Sequence, residues 1–141
     1  MKFKFLEDIA TADLAFDTYG KDLNELFTNA GMAIAEASAN PKTVKAVLTK
    51  KILLKEPTIE KLLFSFLEEL IFLKDSEPMV FKEISATVTD GKQCTMKATV
   101  IGDHIKQDEQ ELRMDIKAVT MHLFEVKKEK NGWKARVVVD I

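Results

Sequence analysis

Hydrophobic positions along this chain change their spacing, and the changes mark out its elements. Leu14, Phe16 and Thr18 alternate with Ala15, Asp17 and Tyr19, the period-two pattern of a short strand over 14–19 that Gly20 ends. Asp22 stands as an N-cap, with Glu25 three residues later to complete a capping-box pair. Leu23, Leu26, Phe27, Ala30 and Ile34 then recur at helical spacing, predicting an amphipathic helix over 23–38 stopped by Asn40-Pro41. From Thr43 to Leu54 the apolar residues carry no helix punctuation, and one or two strands are expected. Lys45, Lys50, Lys51 and Lys55 along this stretch suit protection of a strand edge, with a phosphate-facing patch as the alternative.

Thr58 caps a second predicted helix, whose buried face is Ile59, Leu62, Leu63, Phe66, Leu67 and Leu70. Phe64, Ile71 and Phe72 widen that face and place the helix centrally, until it ends near Lys74-Asp75-Ser76. Beyond it the pattern is strand-like. Val80 to Thr89 faces Lys92 to Ile101 across Asp90-Gly91, a two-residue hairpin signal. A polar loop over 102–110 follows, and then Leu112, Met114 and Ile116 alternate with charges. Val119 to Val126 reads as a further strand. Asn131-Gly132 makes a second hairpin turn into alternating Trp133, Ala135, Val137 and Val139. Helices crowd the first half and antiparallel strands the second, so the fold class is α+β, two main helices packed on a mostly antiparallel sheet.

Composition narrows the function. At 141 residues, 46% hydrophobic and 31% charged, the chain has the make-up of a single ordered domain over 1–141. Its 21 basic and 23 acidic residues give a net charge of -2, so only a local basic patch would support nucleic-acid binding. Cys94 is the single cysteine, which excludes an internal disulfide and Cys-rich zinc patterns. The start of the chain lacks a signal-peptide apolar region, and the apolar run from Leu62 to Leu73 is broken by Ser65, Glu68 and Glu69. A cytoplasmic location without membrane insertion is expected.

Catalytic chemistry finds little to use. His104 falls in the polar loop as a solvated residue, and His122 shares a strand face with Thr120 and Phe124 as a hydrogen-bonded structural histidine. Glu68-Glu69 lie on the solvated side of a helix. No nucleophile-elbow, phosphate-loop or His-Glu-x-x-His pattern occurs. Asp13, leading into the first strand, and Asp140, beside the Ile141 α-carboxylate, are the candidate oxygen donors for a hard cation such as Ca²⁺ or Mg²⁺. A turn cap at Asp13 and a solvated terminus at Asp140 are their ordinary alternatives.

Phe5 with Thr11-Ala12-Asp13 and Tyr19-Gly20, the helix opening Asp22-Leu23-Asn24-Glu25-Leu26-Phe27 and the second helix Leu62 to Leu70 form an ordered series of motifs. The most specific, Ile116-Lys117-Ala118-Val119-Thr120-Met121-His122, is followed by Gly132-Trp133 and Val139-Asp140-Ile141. In this order they resemble the archease family along nearly the whole chain. Ala10 stands where the family has His, which removes that imidazole, and Met121 where an aromatic residue is common. The resemblance implies an accessory protein, not itself an enzyme, that promotes guanylylation and multiple turnover of the GTP-dependent tRNA-splicing RNA ligase. It also implies a divalent cation, Ca²⁺ with Mg²⁺ or Mn²⁺ as alternatives, held by Asp13, Asp140 and Ile141. Lys117 and His122 would face the partner, and contact with RNA would be indirect or weak. A metal-dependent phosphoester hydrolase and a general chaperone-like interaction module are the competing functions.

Overall fold

The strand patterns above resolve into two antiparallel sheets in a computed structural model that describes residues 2–6 and 13–141. Among the described residues the strands are β1 (Phe3–Leu6), β2 (Asp13–Gly20), β3 (Leu48–Glu56), β4 (Met79–Thr89), β5 (Cys94–His104), β6 (Ala118–Glu129) and β7 (Gly132–Asp140). The helices are α1 (Leu23–Ser38) and α2 (Ile59–Ser76). One sheet has the order β1-β2-β7-β6 and the other β3-β5-β4. Both helices touch both sheets, and a single hydrophobic cluster draws on all four. No described helix is long and apolar enough to cross a membrane.

The helices form where their caps predict. Asp22 accepts a hydrogen bond from the Glu25 amide, and Thr58 one from the Lys61 amide. Glu25 reaches back to the Lys21 amide rather than to that of Asp22, closing the capping box one residue further out. α1 is buried nearly all round, at Leu26, Phe27, Ala30, Ala33, Ile34, Ala35 and Ala37, because it lies between layers. It also covers the β4 edge: Thr28 accepts from the Ala86 amide and Asn24 from the Val88 amide. Phe27 stacks on Phe66 of α2 at 6.1 Å, joining the helices at the centre of the core.

Several expectations change. The 43–54 stretch yields a single strand, the sheet edge β3 and one of its two expected outcomes, but a 3-10 turn at Pro41–Thr43, whose start Asn40 caps, precedes it. Phe72 does not widen the buried face of α2; it is 60% exposed. The β4–β5 hairpin closes at Thr89 and Thr95, so Asp90-Gly91 lies in a longer connection rather than forming the whole turn. The second hairpin turns at Lys130-Asn131, with Gly132 opening β7 at a φ of 147°. Leu112, Met114 and Ile116 alternate without making a strand. Their segment hydrogen-bonds to the end of α1, through the Arg113 amide to the Ser38 carbonyl and the Met114 amide to that of Ala37. Only Ile116 of the three is buried. Burial pushes the pKa of Lys74 down, but its bonds to Asp115 and Asp75, both 2.7 Å, outweigh this, raise it, and tie the same segment to α2.

β1 had no counterpart in the sequence pattern, and it adds a flank to β2. Across the four-stranded sheet, Lys4, Asp17, Arg136 and Glu125 occupy one row of opposed residues with alternating charge. The central pair is bidentate, Arg136 donating to both Asp17 oxygens at 2.7 and 3.0 Å, with Lys134 at 3.6 Å. Hydrogen bonding from Arg136 overcomes the desolvation of Asp17 and holds its carboxyl below the ordinary carboxylate range. A carboxyl lowered on folding stabilises above its unfolded pKa, about 3.9, and loses that contribution as pH falls through the folded value. Asp17→Asn is expected to cost roughly 1–3 kcal/mol of urea-unfolding stability at neutral pH. The deficit should shrink as pH drops through the carboxylate range; a deficit independent of pH would refute the ion-pair account.

Candidate metal centre

The inner face of the β2–β7 ladder fixes what stands opposite what. Leu14, Phe16 and Thr18 pair with Val139, Val137 and Ala135, and a one-residue slip would exchange these core residues for Asp13, Ala15 and Asp17. In this register Asp13 lies directly opposite Asp140, and Ala118 of β6 follows in the same row. Directly opposed side chains share a face, with Cβ atoms about 5 Å apart. Positions near the two ends of the sequence are thus brought together as adjacent carboxylates, both half-buried.

Four residues further along each strand, Asp17 has Arg136. Asp13 and Asp140 have no counterpart: among the described residues neither forms an ion pair nor accepts a side-chain hydrogen bond. Asp13 also lines a groove of about 450 Å³ with Leu6, Leu14, Glu36, Arg113 and Met114. The one guanidinium there is engaged elsewhere, with Glu111 and Glu36 each at 2.9 Å, and those bonds raise the pKa of Arg113. The pair is an oxygen-only donor set of the kind hard divalent cations take. Two side chains fall short of a full coordination shell. Among the described residues no group of three or more His, Cys, Asp or Glu gathers closely enough to hold a metal. From the described residues, a terminal carboxylate or main-chain oxygens, together with water, could add ligands.

Ile141 follows Asp140 directly and is 38% exposed. The Lys117 amide donates to the Asp140 carbonyl at 2.8 Å, which anchors the start of β6 beside the pair while the Lys117 side chain remains exposed. His122 is not the hydrogen-bonded structural histidine expected. The β6 register shifts between Thr120 and Glu125, and Leu123 has a φ of 55°. The bulge breaks the alternation and leaves Met121, His122 and Leu123 exposed. His104 is exposed as expected, but at the end of β5, with Nδ1 3.0 Å from the Glu77 carbonyl oxygen. Ala10, Thr11 and Ala12 lie outside the described residues.

Sequence reasoning missed the Asp17–Arg136 pair, although a signal existed. Once Asp13 is set opposite Asp140, counting four residues inward along antiparallel strands puts Asp17 opposite Arg136.

Comparison with known proteins matches residues 3–141 to the model of the archease protein family. An archease from Methanothermobacter thermautotrophicus is 34% identical over 142 residues, covering 99% of this chain and 98% of its own. One from Methanosarcina barkeri is 34% identical over 133 residues, 93% of this chain and 91% of its own. The solution structure of Methanobacterium thermoautotrophicum protein 1598 superposes with a TM-score of 0.82 at 31% identity, over 99% of this chain and 98% of that one. The crystal structure of a Thermotoga maritima archease, described as a possible chaperone, shares the fold with a TM-score of 0.63 at 22% identity, over 96% and 97%.

Opposed like charges without a counterion oppose folding. Asp13→Asn is therefore expected to raise urea-unfolding stability in chelator by about 0.2–1 kcal/mol. A neutral or destabilising result would mean that the two carboxylates do not repel each other in the metal-free protein.

Proposed function

The chain belongs to the archease family, and from that premise we propose that it is an accessory protein of the GTP-dependent RNA ligase that joins tRNA exons. In this role it promotes guanylylation of the ligase and permits repeated turnover, in the cytoplasm, without being a ligase itself. A divalent cation, Ca²⁺ in the first instance with Mg²⁺ or Mn²⁺ as competitors, is held by Asp13, Asp140 and the Ile141 carboxylate. The observation that carries the proposal is the Asp13–Asp140 register pair, opposed and without an ion-pair partner among the described residues while the next charged row is paired.

The chain's own residues would act by placement. Asp13 and Asp140 sit at the facing ends of the two central strands of their sheet, so a cation between them would be held by paired strands rather than by a loop. A bound cation supplies positive charge to an otherwise acidic tip, suited to the phosphates of a nucleotide pocket. Lys117 and His122, both exposed on the neighbouring edge strand and its entry, are the partner-facing candidates.

Two measurements test this. Added to a GTP-dependent RNA ligase, the chain should raise the guanylylated fraction and support more than one ligation per ligase, and Asp13→Ala should abolish both effects. Phosphoester hydrolysis by the chain alone, lost in Asp13→Ala, would instead establish the hydrolase alternative. Protection of many unrelated clients from aggregation, with guanylylation unchanged, would establish the chaperone one. By calorimetry, Asp13→Ala and Asp140→Ala should each weaken Ca²⁺ binding by about tenfold or more. An extension after Ile141, which turns its carboxylate into an amide, should do so as well. Unaltered affinity in the extended protein would remove Ile141 from the ligand set.

A further inference from the structure

The far end of the same sheet has the opposite character. Where β2 runs into α1 and the β6–β7 hairpin turns, two rows of opposed residues combine an aromatic ring with lysines. On one face Tyr19 pairs with Lys134, which pairs with Lys127; on the other Gly20 pairs with Trp133, which pairs with Lys128. Lys130 at the turn and Lys21 before α1 add two lysines beside Lys128, with Glu129 and Glu25, the latter 4.0 Å from Lys21, as the acids between them. The overall charge is -2, so this is a local concentration rather than a general excess of base.

The patch is concave. Tyr19, Lys21, Glu129, Lys130 and Trp133 line a groove of about 540 Å³. Two glycines make the close approach beneath it possible. A Cβ on Gly132 would strike the Gly20 carbonyl oxygen, and one on Gly20 would strike the Leu26 amide nitrogen. The hairpin is thereby seated against the entry to α1, with Trp133 half-buried at the groove.

We infer that this groove binds single-stranded nucleic acid, a base stacking on Trp133 while Lys21, Lys128 and Lys130 take backbone phosphates. The inference goes beyond the proposed function and uses none of its site residues. A π-face beside ammonium groups is the recurring chemistry of sequence-tolerant single-strand binding. Trp133 is now covered by Lys128, 5.8 Å from its centroid, at the outer limit of a cation–π contact. An exposed contact of that kind is worth at most about fivefold in an equilibrium constant, whereas a stacked base is worth from about fivefold to a hundredfold. Exchange of the lysine for a base is therefore favourable, and it frees the ammonium for a phosphate. Lys134 also holds Asp17 at 3.6 Å, so Lys128 and Lys130 are the cleaner test.

Trp133 is the only tryptophan, which makes its fluorescence a reporter of this groove alone. Titration of the full chain with a twelve-nucleotide oligoadenylate RNA should quench that emission saturably. Affinity by anisotropy of the labelled oligonucleotide should fall about ten- to twentyfold between 50 and 200 mM salt, as expected for about three phosphate contacts. K128A/K130A, at exposed positions, should weaken binding by about tenfold or more with an unchanged thermal midpoint, whereas K51A/K97A on the other sheet should not. Binding without quenching, equal quenching by polyglutamate, or no binding at low salt would each overturn the inference. β7 separates this end from Asp140 by roughly 27 Å of strand, several Debye lengths at physiological salt. Asp13→Ala should therefore keep RNA binding and K128A/K130A should keep Ca²⁺ binding, so failure of one assignment is distinguishable from failure of the other.

Discussion

Pairing of β2 with β7 closes almost the entire chain into one loop, and the remainder of that sheet is hung on it. β1 attaches to the free side of β2 and β6 to the free side of β7. Closing so long a loop costs entropy, though the cost grows only logarithmically with length. Two kinds of contact offset it. On the inner face Phe16, Val137 and Val139 are fully buried against the helices. On the outer face the Asp17 carboxylate, 4% exposed as a residue, meets Arg136 in a two-point contact that tolerates little displacement. A slip of one residue would bury Asp17 in the core and strand its partner. The register is therefore specified from both faces at once.

The two helices then act as a filler between sheets rather than as a covering layer. α1 is small-residue-rich and buried nearly all round, which lets it contact both sheets and supply acceptors to the β4 edge. α2 is less enclosed, and its exposed Phe72 marks the side that no strand covers. The three-stranded sheet consequently has one edge protected by a helix and one, β3, left to its lysines. Lys51 bonds Thr99 across that edge strand, and Lys50 bonds Glu77.

Legibility in the sequence followed the locality of the determining contacts. Both helices were readable to their ends because Asp22 and Thr58 cap through bonds spanning three residues. The run Leu112, Met114, Ile116 misled because alternation records periodicity and not partners. Its amides are taken by α1 carbonyls distant in sequence. His122 misled for a related reason: a bulge shifts the face of every later residue, and nothing local announces it. β1 escaped because four residues carry too little pattern. At the candidate site, Asp13 and Asp140 were legible as residue types and through family resemblance. Their opposition was not, since it depends on a register set by contacts across more than a hundred positions.

That opposition is best understood from the charges around it. Along the outer face of the sheet, one row alternates in sign and its central pair is bidentate, while the end row sets carboxylate against carboxylate. Repulsion between opposed like charges costs only tenths of a kcal/mol to about 1 kcal/mol, far less than a register slip that would bury Asp17, so the fold can carry the pair. Carrying it has a consequence for binding. The strands hold two carboxylates together, and a cation that neutralised them would gain both its own coordination and the relief of their repulsion. The same ladder that orders the core thus preorganises the acidic end, while at its opposite end it sets rings beside lysines.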